Sequence, residues 1–144
     1  MTDDGQTGIH WVSDEIIGRE YVALSGASQE GVADILRRHL SFYGLDDVRH
    51  MVRTDLPWYD QVPVLHAVAA GGPPVRDDAI VELIDRSLNH EHSAVRNAAM
   101  VASAYLGWPD LRPFLVVARE FDPDPELRTL ADQLLASFDD EGPR

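Results

Sequence analysis

The chain has no cysteine, no lysine and no uninterrupted apolar run long enough to span a bilayer. Each absence removes a class of protein. Without cysteine there is no structural disulfide and no thiolate metal site, and nothing points to an oxidising compartment. A membrane helix needs about 20 consecutive apolar residues, so no transmembrane span is expected. The opening MTDDGQTGIHW has neither a basic n-region nor an apolar h-region, so a cytoplasmic location is expected. All twelve cationic side chains are arginine, set against 25 Asp and Glu, for a net charge of −13. Such a chain lacks the basic stripe that neutralises phosphates, which argues against direct binding of nucleic acid. A basic protein partner would be drawn in instead, faster at low salt.

What is present is a helical pattern. The length of 144 residues and 44% hydrophobic content suit one domain with a continuous core. Residues 1–8 and 139–144 are expected as disordered tails, with a single all-α domain over 9–138. SQEGVADILRRHLSFYG places Val32, Ile35, Leu36, Leu40 and Tyr43 on one stripe, with Ser28 as N-cap and Gly44 as a stop. LDDVRHMVRTD ends at a proline. PWYDQVPVLHAVAAGG opens on Pro57 and closes on paired glycines. VRDDAIVELIDRSLNH repeats its apolar residues at helical spacing, and WPDLRPFLVVAREFD and DPELRTLADQLLASF carry proline at the start and acids in the first turn. In the opening segment Ile16, Ile17, Tyr21 and Leu24 fit an amphipathic helix interrupted by Gly18.

Two of these helices repeat. Aligning HSAVRNAAMVASAYLG with DPDPELRTLADQLLASF sets Val95-Arg96 on Leu127-Arg128 and Ala99 on Ala131, 32 residues apart. A fainter third copy lies at WYDQVPVLHAVAAGG. Helix pairs that recur at such a period signal an α-solenoid, each pair burying its stripe against the next. The two quoted helices resemble the HEAT-repeat family, whose second helix reads D-x-x-V-R-x-x-A-x-x-A-L-G. The resemblance is clearest over residues 74–138 and faint over 45–72. It implies an α-α superhelix of about three helix pairs, here preceded by one or two further helices. It also implies a polar ladder of acid and arginine joining successive repeats, carried by Asp124, Arg128 and Arg96. His92 stands where another acid is expected, and Asp60 where a third arginine would be. The physical logic agrees, because a guanidinium has five fixed donors with which to bridge carboxylates and turn carbonyls. Recurrence of Arg96 at Arg128 favours scaffold over chemistry.

No catalytic residue, metal site or cofactor is expected. His90-Glu91-His92 lacks a third or fourth ligand at a recognisable spacing and reads as a polar turn leading into a helix. Asp46-Asp47 and Asp77-Asp78 sit at helix starts, where carboxylates meet exposed N–H groups. There is no nucleophile elbow and no phosphate-binding glycine loop.

The sequence therefore reads as a non-enzymatic protein-binding module, in its most specific form an acidic immunity or inhibitor protein that masks a basic toxin or nuclease. The residues expected to meet the partner are Asp55, Trp58, Tyr59, Asp60, Gln61, Asn97, Met100, Thr129, Asp132 and Gln133. The first four set aromatic rings among acids at a helix entrance. The remainder form an outward row on the second helices, with Met100 as an exposed, adaptable contact. Two other classes stay open: a HEAT-like lyase or enzyme accessory acting on a small molecule, and a scaffold whose terminal repeats stack on other chains. Oligomeric state is left open.

Overall fold

The computed structural model describes residues 7–40, 45–52 and 56–141, and these are mostly helical. The chain divides into two compact units, 1–43 and 44–144, rather than the single domain expected over 9–138. Within the described residues no helix is long and apolar enough to cross a membrane.

The first unit corrects the sequence reading. In place of an N-terminal helix it holds an antiparallel hairpin of β1 (Thr7–Asp14) and β2 (Arg19–Gly26), in register from Thr7↔Gly26 to Asp14↔Arg19. Local chemistry accounts for it. Ile9, Trp11, Val12, Tyr21 and Val22 are β-branched or aromatic and favour an extended backbone. Asp14 Oδ1 accepts from the backbone N–H groups of Ile16 (2.9 Å) and Ile17 (3.3 Å), closing the turn, and Gly18 adopts φ 60°. Thr7 and Gly8, expected in the tail, lie in β1, and Thr7 Oγ1 accepts from the Ser28 N–H at 3.1 Å. A two-stranded hairpin alone is marginal in water. Here β2 is in contact with α1 (Gln29–His39), although α1 itself buries no residue fully.

Among the described residues of the second unit, the regular elements are all helical. They are α2 (Leu45–Met51), α3 (Trp58–Gly71), α4 (Asp78–Leu88), α5 (Ser93–Leu106), a 3-10 turn at Pro109–Leu111, α6 (Arg112–Phe121) and α7 (Pro125–Glu141). Asp77 caps α4 by accepting from the Ala79 N–H at 3.0 Å, and α5 stops at Gly107 in the left-handed region. Helix α7 continues through Asp139 and Asp140, three residues past the expected end of the domain at 138, because Arg112 grips Asp139 with bonds of 2.7 and 2.8 Å.

Helix α5 is the centre of this unit, in contact with α3, α4, α6 and α7. Its residues are small enough to permit that: Ala98, Ala99, Ala102 and Ser103 let neighbours approach, and Ser103 Oγ donates to the Ala99 carbonyl at 2.8 Å. A helix apolar or small on every side is a buried helix. Met100 is consequently fully buried, in a core cluster with Leu115, Leu127, Ala131, Leu135 and Phe138. This overturns its expected place on an exposed partner-binding row.

The helices also meet in a regular way. α2 contacts α3, α4 contacts α5 and α6 contacts α7 as sequential neighbours, while α3 contacts α5, α5 contacts α7 and α4 contacts α6. Trp108, buried after Gly107, donates its indole N–H to the Pro73 carbonyl at 3.2 Å and ties the α3–α4 connection to the α5–α6 connection.

Candidate functional site

The sequence enters α3 through Pro57, whose extended ψ places Trp58, Tyr59 and Asp60 in the first helical turn. All three are exposed. Carboxylates are favoured at that end of a helix, which suits Asp60. The Trp58 ring stacks on His92 at 4.6 Å and 27°, and His92 stacks in turn on His90 at 5.5 Å. Tyr59 meets Trp58 edge to face at 5.9 Å. Four rings from the start of α3 and the α4–α5 turn thus form one row. The His92 backbone N–H donates to His90 Nδ1 at 3.0 Å, so neutral His90 carries its hydrogen on Nε2.

Arg96 holds the turn that carries these rings. It is 6% exposed, and Nη1 donates to the His90 and Glu91 carbonyls, each at 2.9 Å. Its Nε and Nη2 reach Asp122 Oδ2 and Oδ1 at 2.9 and 3.2 Å, a two-point pair in which both side chains are buried. Asp122 is satisfied on its other side as well: Oδ1 accepts from the Asp124 N–H at 2.8 Å, and its carbonyl accepts from Arg128 Nη1 at 2.6 Å. The carboxylate facing Arg96 is therefore Asp122, whereas Asp124 caps α7 through the Glu126 N–H at 2.9 Å. Sequence reasoning missed Asp122. In DPDP both acids fit, and only the direction of the chain leaving α6 separates them.

Beyond His90 the edge opens into a groove of about 530 Å³ between the α4–α5 turn and α6. Leu88, Phe114, Val117 and Phe121 form its apolar side; Asp85 and Glu91 stand on its rim, and Arg96 and Asp122 close one wall. The signal for it was in RPFLVVAREF, where Phe114, Val117 and Phe121 make a second apolar stripe, half-buried at Phe114 and exposed at Val117 and Phe121.

The expected partner residues are distributed unevenly. Trp58, Tyr59 and Asp60 lie together at the ring row, and Gln61 is half-buried, donating Nε2 to the Leu56 carbonyl at 2.8 Å. Asp55 lies outside the described residues. Asn97 is half-buried on α5. Thr129, Asp132 and Gln133 are exposed on α7, where Thr129 Oγ1 donates to the Pro125 carbonyl at 3.1 Å and Asp132 lies 3.9 Å from Arg119. Among the described residues no group of three or more His, Asp or Glu is placed to hold a metal ion. No family model matches the chain, and neither a curated protein nor a solved structure matches it.

Proposed function

We propose that helices α2 to α7 form a HEAT-like stack of three helix pairs, α2–α3, α4–α5 and α6–α7, that binds a basic protein partner and catalyses no reaction. The stacking is supported by the succession of contacts between second helices, α3 to α5 to α7, and by that between the first helices α4 and α6. The observation that carries the functional reading is the edge itself. Trp58 and Tyr59, 40% and 60% exposed, extend a row of rings flanked by Asp60 and Glu91. Large rings held by stacking lose little freedom on binding and serve as anchors, and surrounding carboxylates select a basic surface. A net charge of −13 adds long-range attraction. In its most specific form the chain is an immunity or inhibitor protein that covers a basic toxin or nuclease, for which an interface of about 800 Å² per partner is ample.

The test is affinity capture on the full chain at low salt, followed by titration of the purified captured protein at low and high salt. A basic protein that is released by salt and loses about tenfold or more in affinity to Trp58→Ala supports the reading. Recovery of no basic protein, or binding indifferent to salt, overturns it.

A further inference from the structure

Helix α6 has two apolar stripes and fully buries only one of them. Leu115 and Ala118 face the core. Phe114, Val117 and Phe121, spaced i, i+3 and i+7, share the other face, and Val117 and Phe121 are 55% and 74% exposed. Leu88, on the last turn of α4, stands across the groove from them. An apolar stripe of this spacing, left uncovered beside a concavity, has the form of a site that receives side chains from one face of a helix.

The charges around it choose the helix. Asp85 and Glu91 on the rim are exposed carboxylates. Arg96 is the lining cation, and it already makes four hydrogen bonds to Asp122 and to the carbonyls of His90 and Glu91. Four of its five N–H donors are thus taken, and an anionic ligand would also be repelled by the rim. A cationic one would find the Asp85 and Glu91 carboxylates beside the apolar lining, as a long basic side chain flanking an apolar anchor requires.

We infer that the groove between the α4–α5 turn and the outer stripe of α6 receives one face of a basic amphipathic helix supplied by the partner. This rests on the reading of the chain as a protein-binding module. Apolar anchors at i and i+3 or i+4 pack against Phe114, Val117 and Phe121, and flanking arginines or lysines meet Asp85 and Glu91. The groove thereby extends the recognition surface of the ring row along the same edge, through His90, which belongs to both.

Three synthetic peptides of equal length test the inference by fluorescence anisotropy against the full chain. One is a basic amphipathic helix of Leu and Arg, one has the same charge with its apolar face replaced by Ser and Gln, and one is an acidic amphipathic helix. The first binds and the other two do not. Its affinity falls about tenfold or more in Phe121→Ala and severalfold at low salt in Glu91→Gln. It is unchanged in Glu20→Gln, the same loss of charge made in the first unit. Phe121 is exposed enough for its truncation to leave the fold intact, and circular dichroism checks this. Equal binding of the two basic peptides would reduce the effect to net charge and overturn the inference. So would indifference to Phe121→Ala, or a dimer abolished by that substitution, since a second copy would then be the occupant. If a captured basic protein depends on Trp58 but not on Phe121, the groove assignment fails while the module reading survives. If the amphipathic peptide binds through Phe121 and no basic protein is found, the module reading fails instead.

Discussion

Replacing Arg96 by Met should destabilise the second unit more than any other single removal of a charge. The side chains of Arg96 and Asp122 are 8% and 3% exposed, so neither keeps appreciable contact with water. Removing the guanidinium strands a buried carboxylate whose remaining partner is the Asp124 N–H, and it frees the carbonyls of His90 and Glu91. Breaking a buried pair from one side costs about 3–5 kcal/mol, chiefly because the other charge is left uncompensated. Arg96→Lys keeps the charge but loses the planar fork, and about 2 kcal/mol is expected for it. Asp122→Asn should cost a similar amount, and the Arg96→Met/Asp122→Asn double variant should fall short of the sum of its singles by about 2 kcal/mol or more. Urea unfolding gives the totals. Because the chain has two units, amide exchange at His92 and Asp124 reads the second unit by itself. A cost below about 1 kcal/mol for Arg96→Met, or strict additivity in the cycle, would refute the account of Arg96 as the joint between the α4–α5 and α6–α7 turns.

Three other perturbations separate the packing from its alternatives. Met100→Ala should cost about 2–5 kcal/mol by urea titration, as a core cavity does, where an exposed methionine would cost within about 0.5 kcal/mol. Gly72→Ala puts a Cβ against Leu106 Cδ2 and 2.6 Å from the Val68 carbonyl oxygen. The backbone oxygen cannot step aside, so a loss of about 1–3 kcal/mol is expected, and a neutral thermal midpoint would show that the ends of α3 and α5 lie further apart. The third concerns acid. Hydrogen bonds from Arg112 hold the Asp139 carboxyl below its ordinary value, desolvation opposes them, and the Arg112 charge adds to the lowering. A depressed folded-state value means the stabilisation is complete above the unfolded pKa of about 3.9 and disappears as pH falls through the folded value. Asp139→Asn should therefore loosen the last turn of α7 by a constant amount above about pH 5 and make no difference at the acid end, as read by amide exchange. A gap that widens on acidification would contradict the pairing.

How much of this was readable beforehand follows from where the signals are local. The helices from α4 to α7 carry their own punctuation: Asp77 before α4, Gly107 after α5, Pro113 in the first turn of α6 and Pro125 opening α7. The hairpin failed for a definite reason. Ile16, Ile17, Tyr21 and Leu24 fit a period near 3.6, but Ile16 and Ile17 occupy the turn, and Asp14 and Gly18 are turn residues on either side of them. The helical period runs across a boundary that the turn chemistry of Asp14 and Gly18 marks. Met100 failed for another reason. It lies outside the Val95, Ala98 and Ala102 stripe of α5, yet residues of α6 and α7 pack over it and bury it. No window of one helix contains that information. The ring row was half visible, since Trp58 and Tyr59 announce an exposed aromatic entrance, whereas their stacking on His92 joins residues 34 positions apart.

The same long-range contact explains why scaffold and surface are hard to separate on this edge. Arg96 bonds the backbone carbonyl of His90, whose ring is the row's last member and a wall of the groove. It simultaneously fixes Asp122, which sets where α6 ends and so where Phe121 projects. A rigid element that holds recognition side chains in place contributes to affinity by removing their freedom before the partner arrives. The buried pair is costly to desolvate, and an apolar replacement of both members could be as stable. Its geometric consequence is not replaceable in that way: four directional hydrogen bonds orient two turns at once, and apolar packing would leave His90 and Phe121 free to drift apart.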